Sequence, residues 1–136
     1  MKYICLGYMD EGIFAEFSES ERNNFVDNCF KYDEELKRTG HYVGGEALQP
    51  ALNAATLRIQ SGKVSVTDGP FAETKEQIGG IMMLEADDLN HAIQLMSKHP
   101  SLALSKGGGS WEIRPAADLN AMLDESSKRR SGGKRE

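Results

Sequence analysis

The sequence has no apolar run near the roughly 20 residues that a membrane-spanning helix needs. Its first eight residues are too short for the apolar region of a secretory signal, and no small-residue cleavage site follows them. We therefore expect a cytoplasmic protein without membrane contact. Cysteine is scarce as well: Cys5 and Cys29 form no C-x-x-C motif. Two buried, reduced thiols are expected, without a disulfide.

The common catalytic motifs are also missing. The chain contains no G-x-S-x-G, H-E-x-x-H or P-loop pattern. His91 and His99 are too far apart for the i, i+4 spacing of two metal ligands on one helix. The glycine run 107–109 precedes a predicted strand, so it lacks the helix N-terminus of a phosphate cradle. We expect neither a metal nor an organic cofactor.

Composition indicates one soluble domain. The 136 residues include 39% hydrophobic and 27% charged residues, enough for a core without disulfide support. The net charge of −5 is unevenly distributed. Residues 127–136 carry +4, and the part up to residue 126 has 11 basic and 20 acidic residues. We predict a domain over 1–126 and a basic tail over 127–136, either solvated or paired with the acidic body. The acidic body disfavours nucleic-acid binding.

Hydrophobic periodicity predicts an α+β order. Ser18 and Glu21 match a capping box, and the following apolar residues share one helical face, which predicts a helix over 18–39 that ends at Gly40. A second helix begins at Asp87 or Asp88 and is closed by Pro100. A loop is expected at 10–12 and a short helix at 116–126. Strands are predicted at 2–8, 41–48, 56–60, 64–67, 78–85 and 111–114.

This order is typical of a ferredoxin-like α+β sandwich, an antiparallel sheet with two main helices on one face. Strand segments 57–66 and 78–85 carry apolar side chains at both alternating positions. A face bathed in water should not be so apolar, so we expect a second copy to cover it and form a homodimer.

The most informative segment is Asp68-Gly69-Pro70-Phe71, continued as Ala-Glu-Thr-Lys-Glu and followed by a Gly-Gly pair at 79–80. It joins two predicted strands by about ten residues, longer than an ordinary hairpin loop, which suggests a binding or lid role. Gly69 allows the backbone to approach a ligand, Pro70 stiffens the loop, and we expect Phe71 to bury itself and fix the path of the loop.

These residues resemble the signature of DGPF-domain proteins of the YCII-related superfamily. Three other stretches occur in the expected order: the opening strand, residues 45–50, and residues 112–115. The resemblance spans about residues 1–117. It implies a dimeric α+β barrel with a cleft between sheet and motif loop, and relatives that include lyase- and isomerase-type enzymes of aromatic breakdown. Some relatives carry a catalytic His–Asp pair with the His on the first helix. Here that helix offers only Asn24 and Asn28, so the dyad is not transferred.

Asp68 is the candidate general acid or base, because a carboxylate in an apolar interface suits proton transfer near neutral pH. The alternative is that Asp68 caps its own loop through backbone N–H groups. Glu73 and Glu76 are candidates to bind a cation or a polar ligand, with Lys75 as a further ligand contact; the alternative is that the two carboxylates are an ordinary solvated pair beside Lys75.

Two further groups are candidates. His41 is an assisting imidazole or an ordinary loop residue, with Glu46 as a polar helper. Arg58 is suited to hold a substrate carboxylate, or it pairs with the acidic body. The first hypothesis is cofactor-free proton transfer, lyase- or isomerase-like, on a small cyclic or aromatic acid. The alternatives are a non-catalytic module that senses a metabolite and an interaction domain that uses the basic tail.

Overall fold

The computed structural model of the chain describes residues 1–104 and 108–133. Within these ranges, six strands alternate with four α-helices and two short 3-10 turns. The strands are β1 (Lys2–Asp10), β2 (Tyr42–Ala47), β3 (Ala55–Gln60), β4 (Lys63–Asp68), β5 (Glu76–Glu85) and β6 (Ser110–Pro115). The helices are α1 (Glu11–Ala15), α2 (Glu19–Arg38), α3 (Leu89–Met96) and α4 (Leu119–Gly133), and the 3-10 turns are Ala51–Asn53 and Pro100–Ala103.

Four strands form an antiparallel sheet in the order β2-β5-β1-β6. With α2 after β1 and α3 after β5, the sequence order of this sheet and its helices is β-α-β-β-α-β, which is compatible with a ferredoxin-like fold. The α+β class and the antiparallel sheet are thereby confirmed. Strands β3 and β4 pair only with each other as a hairpin inserted between β2 and β5.

The core lies on one face of the sheet. Tyr3 and Cys5 of β1 are cross-strand partners of Leu84 and Met82 of β5, and all four are buried. Leu36 of α2 joins this cluster, as do Ala92 and Met96 of α3. Alternation places the intervening residues on the outer face of the sheet. Burial raises the pKa of the Cys5 thiol to about 11, so this cysteine stays an inert thiol at neutral pH.

Helix α2 begins and ends as predicted. The Ser18 hydroxyl accepts the Glu21 N–H at 3.1 Å, and the Glu21 carboxylate accepts the Ser18 N–H at 3.0 Å. At the other end, Gly40 has φ of +81°, the left-handed conformation that ends helices and favours glycine. The α3 N-cap is Asp88, whose carboxylate accepts the His91 N–H.

The expected loop at 10–12 is wrong. Strand β1 continues through a bulge at Gly7/Tyr8 to Asp10, where the Asp10 carboxylate accepts the Ile13 N–H and begins α1. The bulge lets the strand pass Gly7 and continue beyond the predicted end at residue 8. The register then places Asp10 opposite Glu76, so β1 ends beside the start of β5.

The C-terminal helix is longer than the predicted 116–126. Helix α4 crosses the boundary expected at 126/127 and runs to Gly133, because lysine and arginine are good helix formers and suit the last turns of a helix. The rest of the basic tail, 134–136, and Gly107 of the glycine run lie outside the described residues. None of the described helices is both long and apolar enough to cross a bilayer.

Candidate functional site

The motif loop, residues 69–75, connects β4 to β5, and its backbone explains the Asp-Gly-Pro order. Asp68 is the last residue of β4. Gly69 has φ of +105°, a conformation that side chains disfavour. Pro70 then fixes the next φ and has no N–H that needs an acceptor. The chain therefore turns sharply directly after the Asp68 carboxylate.

Strand β3 and the residue before it hold the start of the motif loop through hydrogen bonds. The Gly69 N–H donates to the Ala54 carbonyl at 2.7 Å, and the Thr56 hydroxyl donates to the Gly69 carbonyl at 3.0 Å. Further along, Arg58 Nη2 donates to the Phe71 carbonyl at 3.3 Å. The hairpin and the motif loop thus form one connected unit.

The end of the motif loop is fastened by β5. Gln77 Nε2 donates to the Ala72 and Thr74 carbonyls at 2.9 and 3.0 Å, and the Thr74 hydroxyl donates to the Glu76 carbonyl at 2.6 Å. Side chains other than Asp68 therefore hold the loop. The alternative in which Asp68 caps its own loop is not supported, because the Asp68 carboxylate makes no hydrogen bond to another described residue.

A cleft of about 530 Å³ lies on one side of the motif loop, and we call it the acidic cleft. Its lining consists of Asp10, Glu11, Gly12, Ala51, Leu52, Asp68, Gly69, Pro70, Glu73, Thr74, Lys75 and Gln77. The Asp68 side chain is exposed in the single chain and makes no hydrogen bond or ion pair with another described residue. Its carboxylate is free to accept a hydrogen bond from a ligand.

Two of the other carboxylates in the acidic cleft have structural roles. Asp10 caps α1, and both Glu11 oxygens accept the Ala51 N–H, at 2.9 and 3.2 Å. Asp68 and Glu73 remain as carboxylates without such a role, and Lys75 contributes the one positive charge in the lining. With four carboxylates against one ammonium group, the cleft favours a ligand rich in hydrogen-bond donors, and Lys75 is the position in the lining that attracts a negatively charged group.

A second cleft, of about 600 Å³, lies on the other side of the motif loop, and we call it the apolar cleft. The apolar part of its lining consists of Tyr8, Leu48, Pro50, Ala51, Ala54, Pro70, Phe71, Ala72 and Ile78. The polar part consists of Gln49, Asn53, Thr74, Glu76 and Gln77. Because Pro70, Thr74 and Gln77 line both clefts, a shift of the motif loop changes both at once.

The predicted partners of Asp68 lie elsewhere. His41 is at the Glu85 end of β5, where its Nδ1–H donates to the Glu85 carbonyl at 3.0 Å and its ring packs edge-on against His91. The motif loop enters at the Glu76 end, so the ten residues of β5 separate the two, roughly 30 Å at 3.3 Å per residue. Glu46 is exposed on β2, opposite Ile81, and does not line either cleft.

Arg58 is engaged within the chain. Its guanidinium lies 4.9 Å from the centroid of the Phe71 ring, in addition to its bond with the Phe71 carbonyl. The structure therefore brings together Asp68, Gly69, Pro70, Glu73 and Lys75 in the acidic cleft. Phe71 lies across the loop against Arg58.

Three contributors to the acidic cleft were missed from the sequence: Asp10, Glu11 and Gln77. The available signal was positional, because Asp10 and Glu11 follow an apolar strand and Gln77 follows the motif. The sequence does not show that β1 and β5 are neighbours in register, which is what places these residues together.

A polar chain of contacts crosses the outer face of the sheet. The Tyr8 hydroxyl donates to Glu112 Oε1 at 3.1 Å, and Arg114 Nε donates to Glu112 Oε2 at 2.6 Å. These two bonds hold the pKa of Glu112 below its usual value, with the Arg114 bond as the larger cause. Partial desolvation and the bond to Glu112 raise the pKa of Tyr8, which stays a neutral phenol lining the apolar cleft.

Within residues 1–104 and 108–133, no three His, Cys, Asp or Glu side chains are grouped so as to hold a metal ion. The acidic cleft offers the free carboxylates of Asp68 and Glu73, the ammonium group of Lys75 and the amide of Gln77. This set can accept a proton, hold an anion and orient a small polar molecule.

The fold and site define an α+β protein whose inserted hairpin and Asp-Gly-Pro-Phe loop form clefts against an antiparallel sheet. Residues 1–120 match the model of the YCII-related domain family. The sequence is also similar to an uncharacterized protein of Rhizobium meliloti (strain 1021), with 33% identity over 121 residues that cover 86% of this chain and 93% of the relative. The chain belongs to the YCII-related domain family.

Proposed function

We propose that the chain binds a small cyclic or aromatic acid in the acidic cleft and transfers a proton through Asp68 without a cofactor, in a lyase- or isomerase-like reaction. The observation that supports this proposal is the Asp68 carboxylate itself. It lines the same cleft as Lys75, and other side chains hold its loop, so no hydrogen bond to a described residue gives it a structural role.

In this proposal Lys75 binds the acid group of the substrate, and Asp68 removes or returns the proton. Because Asp10, Glu11 and Glu73 also line the cleft and repel anions, the acid group of the ligand lies at Lys75 and the rest of the ligand carries no negative charge. A hydroxyl or amino group on the ligand finds acceptors in Glu73 and in the Thr74 hydroxyl. Arg58 contacts Phe71, so in this proposal it positions the motif loop and does not bind the substrate.

The proposed assembly is a homodimer in which the helices cover one sheet face and a second copy covers the other. Its support is the outer face itself. The cross-strand pairs Ile4–Met83 and Leu6–Ile81 alternate with the buried core residues and form a row of aliphatic side chains on that face. Together with the fold order, this row favours the dimeric α+β barrel.

The second candidate function is a non-catalytic module that binds a metabolite. The exposure of Asp68 favours it, because a cleft open to water retains the solvent that a proton-transfer site excludes. The distance to His41 favours it too, since no imidazole assists the carboxylate.

One experiment separates the two functions. A panel of small cyclic and aromatic monocarboxylic acids is screened by thermal shift, and each stabilising compound is incubated with protein in D2O and examined by NMR for exchange of its C–H protons. Proton transfer predicts deuterium incorporation that falls at least about 100-fold in Asp68→Asn, with binding retained. Asp27→Asn removes the same charge from an exposed residue of α2 that lines neither cleft, so it is the matched control and keeps the exchange. Binding without deuterium incorporation would establish the sensing function instead, and stabilisation by none of the acids would contradict both.

A further inference from the structure

The apolar cleft has no part in the proposed proton transfer. Its lining comes from three places: the sheet where Tyr8 of β1 pairs with Ile78 of β5, residues 48–54, and the motif loop. The side chains of Leu48, Phe71 and Ile78 in this lining are 38–78% exposed. Apolar side chains that converge on one concave site leave a surface that a ligand can remove from water.

Hydrogen bonds hold the walls of the apolar cleft. The Leu48 N–H donates to the Gly79 carbonyl at 2.9 Å, which joins the segment 48–54 to β5. The motif loop is held by the bonds of Gly69 and Gln77 described above. A site whose walls are already fixed loses little free energy to ordering when a rigid molecule binds. The volume of about 600 Å³ lies in the range of small-molecule sites.

Several hydrogen-bond donors of the lining are already used inside the chain. The Tyr8 hydroxyl donates to Glu112, and the Thr74 hydroxyl donates to the Glu76 carbonyl. The Gln77 amide donates to the motif loop. What remains for a ligand includes a lone pair of the Tyr8 oxygen and the Glu76 carboxylate, which has no hydrogen bond to another described residue. The ligand therefore has to supply a donor.

Glu112 and Arg114 determine how Tyr8 meets a ligand. Glu112 Oε1 accepts the Tyr8 hydroxyl at 3.1 Å, while Arg114 Nε donates to Glu112 Oε2 at 2.6 Å and so holds this carboxylate in position. Because its proton is directed to Glu112, the Tyr8 hydroxyl offers a ligand its oxygen as an acceptor.

Charge disfavours an anion in the apolar cleft. Glu76 is charged, and none of the described lysines, arginines and histidines lines this cleft. An anion would lose its hydration against apolar walls and gain no cationic partner. A cation would gain little either, because Glu76 is exposed and screened by water and salt. An uncharged molecule avoids both costs.

We propose that the apolar cleft binds an uncharged aromatic molecule that carries a hydroxyl group, with its ring against the apolar walls and its hydroxyl donating to the Tyr8 oxygen. Tyr8 thereby selects for the hydroxyl group. The inference goes beyond the proposed function, because this ligand differs from the acid of the acidic cleft and contacts neither Asp68 nor Lys75.

The probe is 2-naphthol, an uncharged bicyclic phenol, and equilibrium dialysis measures its binding to the full chain. Its methyl ether has the same rings without the donor, and 2-naphthoate carries an anionic group instead. We expect 2-naphthol to bind at least about fivefold more tightly than the ether, the scale of one hydrogen bond. We also expect an equal concentration of 2-naphthoate to displace little of it. Absence of 2-naphthol binding, equal binding of the ether, or full displacement by 2-naphthoate would overturn the inference.

Two pairs of variants locate the site. Leu48→Asn removes apolar surface from the apolar cleft and should weaken 2-naphthol binding at least about tenfold. Leu52→Asn makes the same change at an exposed residue of the acidic cleft and should leave this binding unchanged. Tyr8→Phe should abolish the preference for 2-naphthol over its ether. Tyr42→Phe removes a hydroxyl that lines neither cleft, so it should keep that preference.

The opposite results would contradict the site. Binding that Leu48→Asn leaves unchanged, or a preference that survives Tyr8→Phe, would overturn the inference. So would a change of oligomeric state in Leu48→Asn, measured by sedimentation velocity, because a second copy would then occupy the cleft. Deuterium incorporation through Asp68 is measured with acids in the other cleft, so the proposed function stands or fails separately.

Discussion

The guanidinium of Arg58 lies against the ring of Phe71, 4.9 Å from its centroid, while its Nη2 donates to the carbonyl of the same residue. Arg58, a residue of β3, thus contacts both the side chain and the backbone of Phe71 in the motif loop. The Phe71 ring is 78% exposed, so Arg58 rather than core packing fixes its position. This is why the hairpin and the motif loop act as one unit.

Arg58→Lys should loosen the motif loop without unfolding the chain. Lysine keeps the charge but loses the planar group that stacks on the ring while it donates to the carbonyl. We expect tryptic cleavage after Lys75 to accelerate several-fold, with less than about 1 kcal/mol lost in unfolding free energy, since the contact is exposed. Lys63→Arg is the control on the same hairpin and should cleave at the native rate. Unchanged cleavage in Arg58→Lys would mean that the loop is held without this contact.

Local chemistry made much of the fold predictable. The Ser18–Glu21 capping box, the Gly40 stop and the break between the strands predicted at 56–60 and 64–67 each depend on neighbours within a few residues, and each appears in the structure. The ends of β1 and α4 were not predicted. Their positions depend on a bulge at Gly7 and on the helix preference of the basic tail, and neither feature is visible in the hydrophobic pattern from which the ends were inferred.

The site was only partly predictable for a similar reason. The motif marks Asp68 and the turn after it, since the Asp-Gly-Pro order dictates that backbone. Which cation lines the same cleft as the Asp68 carboxylate depends on long-range pairing. Arg58 and Lys75 were both candidates, and the strand register assigns Arg58 to Phe71 and leaves Lys75 in the cleft.

Acid should destabilise the chain through His99. The imidazole is 7% exposed, and its Nδ1 accepts the Ser101 N–H and faces the Ser101 hydroxyl, which accepts the Trp111 indole N–H. Burial lowers the pKa of His99 to about 4 from 6.5. Between these values the unfolded chain binds a proton that the folded chain does not, so stability is full above pH 6.5 and falls as the pH decreases. We expect about 1–2 kcal/mol less unfolding free energy at pH 5 than at pH 7.

Urea unfolding at pH 7 and pH 5 measures this loss. Both pH values lie above the lowered pKa of Glu112, so protonation of Glu112 contributes little to the difference in stability. His99→Gln is less stable at pH 7 because the buried ring is lost, but its stability should change little between the two pH values. An equal loss in His99→Gln and the native chain would assign the pH dependence to other groups.

Asp33→Asn should stabilise the chain at neutral pH. Asp33 is half-buried on α2, its Oδ1 has no hydrogen-bond partner, and burial raises its pKa against an opposing effect of Lys37. A raised carboxyl pKa means that the charged form costs stability above that pKa. Removing the charge should raise the unfolding free energy at pH 7 by roughly 1 kcal/mol, the scale of a typical point substitution, and the gain should shrink as the pH approaches 3.8. Glu34→Gln removes the same charge from an exposed neighbour and should change little; a loss of stability in Asp33→Asn would contradict the argument.

Gly7→Ala should damage the sheet where β1 meets β6. A Cβ atom at Gly7 would lie 2.8 Å from Cη2 and 2.9 Å from Cζ3 of Trp111, the residue paired with it across the strands. The indole cannot retreat freely, because its N–H is bonded to the buried Ser101 hydroxyl. Overpacking of this kind costs about 1–3 kcal/mol, measured by urea unfolding, and a shift in Trp111 fluorescence should accompany it. Gly79→Ala is the matched control: it adds the same methyl group to the neighbouring strand β5, where a Cβ meets no atom within 4 Å. If both variants lose the same stability, the cost belongs to glycine replacement in a strand and the close approach of Trp111 is not its cause.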